Sequence, residues 1–184
     1  REVYQSDEDE RIEILLKAAE AGVACVDFQG YTLDRESKHG FRQEFSHLDY
    51  SFVKANPKEV VMDQKVIDKQ MELFEKVHYM GTEVLLSCHP RVYLDAEQVV
   101  DLALFLEKRN PDVIKIVTSS RTEEDVIEGI RAMHLLKKEL KTFCVAVGIS
   151  YCNSIISAVP IFFHSQQTAF IQRRKCFFFA FLKN

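Results

Sequence analysis

The alternation of apolar and polar positions divides this chain into short strands and amphipathic helices that follow one another in turn. Ser6 followed by Asp9 forms a capping-box pattern, and Ile12, Leu15, Leu16 and Ala19 then recur at helical spacing up to Ala21. Gly22 closes that helix, and residues 23–28 alternate as a strand. Residues 29–61 scatter aromatic side chains among Arg35, Lys38, His39, Arg42, His47 and Lys54 without a period, so they read as a long loop with at most one helical turn. A second helix is predicted over 63–80, with Ile67, Met71, Phe74 and Val77 on one face and Gly81 at its end. A strand follows over 83–88, and Asp95 opens a helix carrying Val99, Leu102, Ala103 and Leu106. Residues 112–118 form the next strand. Thr122 with Asp125 caps a helix carrying Val126, Ile130 and Met133, and 142–147 is the last predicted strand.

The spacing of the strands is more informative than any one of them. Their centres at Leu86, Lys115 and Val145 lie 29 and 30 residues apart, with a capped helix between each pair, so a βα module repeats. Parallel strands joined by helical crossovers make either an open doubly wound sheet or a (β/α)8 barrel. No glycine-rich phosphate motif follows any strand, which weakens the nucleotide-binding open sheets and favours the barrel. A complete barrel takes at least about 200 residues. The 184 residues here, with four clear strands, therefore predict part of one. Arg1 is not an initiator methionine, and the chain is expected to begin partway into a longer product.

Composition narrows the functional classes. A net charge of −4 carries no electrostatic footprint for nucleic acid. No run of 18 apolar residues and no cleavable leader occur, so neither membrane spanning nor secretion is indicated. Five cysteines, at 25, 88, 144, 152 and 176, show no metal-ligand spacing and read as reduced thiols of a cytoplasmic protein. The pattern changes after Gly148: Glu139 is the last acidic residue, and half of the 14 phenylalanines fall between Phe162 and Phe181. The expected organisation is a partial barrel over 1–148 and a divergent, aberrant or disordered tail over 149–184. A basic, aromatic membrane-attaching segment is the other reading of that tail.

One residue carries candidate chemistry. Lys115 lies in the middle of Asp112-Val113-Ile114-Lys115-Ile116-Val117-Thr118, a run with the character of a strand covered on both faces. Alternation puts Val113, Lys115 and Val117 on one face, and Ile114 and Ile116 on the other. An unpaired buried ammonium costs several kcal/mol, and burial lowers a lysine pKa by roughly 3 to 5 units, producing a neutral amine that attacks carbonyls. A lysine whose stem snorkels to solvent is the bland alternative. His89 falls at the carboxyl end of the preceding strand, where parallel α/β proteins place catalytic groups. Adjacent strands are about 4.8 Å apart, so the two side chains could meet as a Schiff-base nucleophile with a general acid/base. A hydrogen-bonded loop histidine is the ordinary alternative. Cys88 points the opposite way from its neighbour and reads as a packing residue, the acidic run 7–10 reads as a helix N-terminus, and His39 and His47 read as parts of a solvated loop.

With these residues in place, the segment containing Leu86-Ser87-Cys88-His89 and Asp112-Val113-Ile114-Lys115-Ile116 resembles the type I 3-dehydroquinate dehydratases. The run from Tyr4-Gln5-Ser6-Asp7-Glu8 to Val26-Asp27 is similar to that family's third helix and fourth strand, and the resemblance covers roughly 1–148. It implies a TIM-type barrel lyase of the shikimate pathway and aromatic amino acid biosynthesis. Lys115 would form an imine with 3-dehydroquinate, His89 would shuttle the proton, and 3-dehydroshikimate would be the product. The resemblance implies neither a metal nor an organic cofactor, a small-molecule substrate as the partner, and a homodimer as an allowed assembly. Arg1 stands where the family has a substrate-binding arginine, though without the Glu-Gly-Gly that follows it there. The family's first two strands have no counterpart. Gly148-Ile149-Ser150-Tyr151-Cys152-Asn153 lacks the arginine that grips the substrate carboxylate, and Ser165-Gln166-Gln167 only superficially matches the family's lid. Losing a charge-assisted contact of that kind costs about 1.5 to 3 kcal/mol, so substrate binding at least about tenfold weaker, and less than normal turnover, are expected. Another Schiff-base aldolase or lyase, and a non-catalytic fragment or binding protein on a degenerate barrel, are the alternative readings.

Overall fold

The computed structural model describes residues 8–33, 60–90, 93–120 and 122–150, with 145–150 described by their backbone. Among the described residues, helices and strands alternate: α1 (Glu8–Glu20), β1 (Cys25–Gln29), α2 (Gln64–Tyr79), β2 (Glu83–Cys88), α3 (Ala96–Glu107), β3 (Val113–Ser120), α4 (Glu123–Glu139) and β4 (Phe143–Ser150). The chain writes the helix boundaries locally. Asp63 caps α2 by accepting from the Lys65 and Val66 amides, while α3 and α4 begin with full capping boxes, Asp95 with Gln98 and Thr122 with Asp125. Glu8, Asp9 and Glu10 occupy the first turn of α1, where the helix dipole favours them. Gly22 and Gly81 follow α1 and α2 at φ of 83° and 79°, a left-handed turn that side chains with a Cβ resist.

The four described strands are parallel and lie in the order β1-β2-β3-β4. Their register aligns Phe28 with Leu86 and Leu86 with Ile114, and it sets Val26 beside Val84 and Cys88 beside Ile116. These seven residues are buried in a single core with Ala19 of α1, Phe74 and Val77 of α2, Val99, Leu102, Ala103 and Leu106 of α3, and Ala132 and Leu136 of α4. The four described helices therefore cover the same face of the sheet. A doubly wound sheet reverses its strand order and carries helices on both faces. Consecutive order with helices on one face is instead the winding of a barrel, and the fold is a partial (β/α)8 barrel of repeating βα units. The face away from the helices, which a closed barrel turns inward, carries Asp27, Leu85, Ser87, Val113 and Lys115.

Polar contacts set the modules against one another. Asp112, just before β3, accepts from the Val84 amide and from His78 Nε2, both at 2.8 Å. Glu107 accepts the Lys141 and Thr142 amides ahead of β4. Arg131 of α4 bridges Glu97 of α3 and Glu128, and Glu128 accepts the Ala96 amide.

The helix faces differ from expectation in two places. Met71 is 40% exposed, and Gln70 is fully buried in its stead because its amide is part of an internal hydrogen-bond network. On α4, Met133 is buried, but Val126 and Ile130 stand 42% and 51% exposed, since the helix turns Ala132, Met133 and Leu136 toward the core. The third strand also runs on through Ser119 and Ser120, which read as its boundary in the sequence, because both pair in register with β4.

Candidate active site

Lys115 sits in the middle of β3, in register with Ser87 of β2. The covering expected on both faces of this strand holds for Ile114 and Ile116, which are fully buried, but not for Lys115, whose side chain remains 30% accessible. Nor is the lysine unpaired. Its Nζ lies 3.4 Å from Oδ2 of Asp27 on β1, and the other carboxylate oxygen, Oδ1, accepts a 2.5 Å hydrogen bond from Ser87 Oγ. Three successive strands thus contribute one residue each to a polar array on the face away from the helices. Because Asp27 is 42% exposed, the ion pair itself contributes only about 0.2 to 1 kcal/mol to folding. The array has more consequence for where the amine is held than for stability.

His89 follows β2 directly, two residues beyond Ser87, and is half-buried. Cys88 between them is buried in the core against the helices, as a packing residue should be. Arg1, His39 and His47 lie outside the described residues, as do Ser165 to Gln167 and the rest of 151–184. Among the described residues, no group of His, Cys, Asp and Glu is arranged to hold a metal ion, and no helix is long and apolar enough to cross a membrane. Cys25, Cys88 and Cys144 form no disulfide among the described residues. Burial pushes the Cys25 and Cys144 thiols up to about 12, so neither is a ready nucleophile.

The β1 end of the array rests on a buried scaffold. After Gln29, the Gly30 amide donates to the Ser87 carbonyl at 2.7 Å, extending the β1–β2 ladder past the strand. Gln70 of α2 donates its amide to the Gly30 and Thr32 carbonyls, at 3.2 and 2.7 Å, and accepts from Arg109 Nε at 2.8 Å. Arg109 also donates to the carbonyls of Phe105 and Val61, each at 2.8 Å, and its guanidinium lies 4.5 Å from the Phe105 ring centroid. Burial lowers this guanidinium from 12.5 to about 10. Arg11 of α1, paired with Glu8, reaches Thr32 Oγ1 at 2.8 Å. The turn after β1 is therefore held from both flanking helices, and it steadies the strand that carries Asp27.

Asp27, Ser87, Gln70 and Arg109 had no assigned role in the sequence reading. For Asp27 a signal existed: between Val26 and Phe28, alternation alone turns it to the face opposite the core, the face of Lys115. For Arg109 none did, because an arginine beyond a helix end ordinarily lies in solvent.

Comparison with known proteins bears on this arrangement. No protein-family model matches the chain. Two curated proteins named 3-dehydroquinate dehydratase, from two strains of Staphylococcus epidermidis, are each 33% identical to it over 85 residues. The match takes in 46% of this chain and 35% of each relative. The chain is a partial and divergent relative of the 3-dehydroquinate dehydratases. Among solved structures, the type I 3-dehydroquinate dehydratase of Clostridium difficile, determined with covalently modified comenic acid, superposes with a TM-score of 0.57 at 14% identity. That superposition spans 81% of this chain and 47% of the other, a likeness of fold. The chain thus spans about a third of the length of its curated dehydratase relatives and about half of the solved dehydratase.

Proposed function

We propose that this chain carries the covalent half of a type I 3-dehydroquinate dehydratase site, with Lys115 as the imine-forming residue and His89 as the general acid/base. The observation that carries the reading is Lys115 itself. It is a half-buried lysine in mid-strand on the side of the sheet away from the helices, in a chain whose sequence kinship is to 3-dehydroquinate dehydratases. Condensation of the amine with the substrate ketone yields an iminium and releases water. The iminium acidifies the neighbouring carbon, His89 takes that proton, and the electron pair moves onto nitrogen to give an enamine. The enamine then expels the adjacent hydroxyl as water, with the proton returned by His89, and hydrolysis frees 3-dehydroshikimate and Lys115. The imine nitrogen is the electron sink, so the chemistry requires no organic cofactor. His89 is supported by its place directly after β2, two residues past Ser87, the register neighbour of Lys115. A cytoplasmic role in the shikimate pathway is the reading that the same kinship supports, and Arg1 is the proposed substrate-binding arginine.

Borohydride trapping tests the reading. Incubation with 3-dehydroquinate and borohydride should leave a reduced adduct on the peptide containing Lys115, and Lys115→Ala should remove it. An adduct formed with other keto compounds or aldehydes but not with dehydroquinate would overturn the substrate assignment, and absence of any adduct would overturn the imine.

A further inference from the structure

We infer that Asp27, held by Ser87, positions the Lys115 amine and serves as counter-ion to the iminium formed on it. The inference rests on the imine reading above and adds a residue to it. Its basis is the division of labour between the two oxygens of one carboxylate. Oδ1 is occupied by the Ser87 hydroxyl at 2.5 Å, which fixes the rotation of the group, and Oδ2 is left facing Lys115 Nζ at 3.4 Å. Asp27 and Ser87 stand on adjacent strands held in parallel register, and the Gly30 amide bond to the Ser87 carbonyl continues that register past β1. The carboxylate is thus set by the sheet rather than by a mobile loop.

The charge balance of the reaction shows what such a group would do. A ketone and a lysine ammonium combine with loss of the carbonyl oxygen as water, which carries off two of the nitrogen's three protons. The carbon–oxygen double bond is replaced by carbon–nitrogen, and the positive charge remains on nitrogen. Removing a proton from the adjacent carbon sends the electron pair to nitrogen and cancels the charge, and departure of the hydroxyl as water restores it. A fixed anion beside that nitrogen stabilises each cationic species relative to the neutral imine and enamine between them. Asp27 therefore keeps the iminium protonated at pH values where a lone imine would lose its proton.

Trapping the full 184-residue chain with 3-dehydroquinate and cyanoborohydride across the neutral to alkaline range reads this directly, because the hydride reduces the protonated iminium. In Asp27→Asn the alkaline limb of adduct formation on Lys115 should move down by about one pH unit, the low end for an opposite charge because both partners are partly exposed. Asp27→Glu should return the limb toward the parent position. Ser87→Ala, which keeps both charges but frees the carboxylate, should move it part of the way. Far-UV circular dichroism checks that each variant is folded. A limb unmoved in folded Asp27→Asn overturns the counter-ion role while leaving the imine standing. If Asp27→Asn does not fold, a limb unmoved in Ser87→Ala decides the question the same way. No adduct on Lys115 in the parent at any pH overturns the imine reading and this inference with it.

Discussion

Replacing Arg109 by methionine should destabilise the fold by about 3 kcal/mol, although the residue lies outside the proposed chemistry. Methionine approximates the volume of the arginine stem, so the change is chiefly one of hydrogen bonding. Three acceptors lose their donor: Gln70 Oε1, the Val61 carbonyl and the Phe105 carbonyl. Gln70 and Val61 are fully buried, and a buried acceptor left unsatisfied costs about 1 to 3 kcal/mol. Phe105 is less affected because it is only partly buried. Against this stands the cost of burying the guanidinium, visible in its lowered pKa of about 10, which methionine removes. Two dry acceptors at mid-range, less part of that relief, leave about 3 kcal/mol. Urea unfolding followed by circular dichroism should show the midpoint falling by about 1.5 M, taking a slope of about 2 kcal/mol per M that is unchanged by the substitution. Gln70→Met should cost a similar amount, and the double variant less than the sum, since both residues serve one network. A change under about 0.5 kcal/mol for Arg109→Met would refute the reasoning, because it would mean that desolvation of the guanidinium cancels all three bonds.

Two further outcomes follow from the same contacts. Asp112→Ala removes the acceptor shared by the Val84 amide and His78 and should cost about 2 kcal/mol in urea unfolding, whereas equal stability of variant and parent would show that water replaces the carboxylate. The thiols of Cys25 and Cys144 are held at about 12 in the folded state against an ordinary 9.0, so above about pH 9 the unfolded chain loses protons that the folded chain keeps, and stability falls as pH rises. At about pH 9.5 the loss should be about 0.8 kcal/mol per thiol, and the double variant Cys25→Ala/Cys144→Ala should flatten the decline. Arg109 contributes with the opposite sign above about 10, so the comparison belongs below that pH. An identical slope in the double variant would refute the thiol assignment.

Much of the architecture is legible in the chain because it is written in local, periodic terms. The caps at Asp63, Asp95 and Thr122, the glycines at 22 and 81, and the β2 strand over 83–88 each depend on a few adjacent residues, and each appears where the pattern puts it. The 29- and 30-residue spacing implies parallel strands, since a helix between each pair returns the chain to the same end of the sheet. That spacing does not choose between a barrel and a doubly wound sheet. The choice appears in the consecutive strand order and in helices packed on one face, both of which are relations among distant segments.

The same distinction separates the lysine from its surroundings. Lys115 is conspicuous in the sequence because its immediate neighbours are apolar. Its partner Asp27 lies 88 residues away, and Ser87 joins them only through the lateral register of three strands. Gln70 likewise displaces Met71 from the buried face of α2 because Arg109, 39 residues later, supplies a buried donor that no helical period encodes. Periodicity reports which face a side chain takes, since this follows from backbone geometry residue by residue. Which charges meet on that face is settled only when the sheet forms and burial makes an unpaired polar group costly.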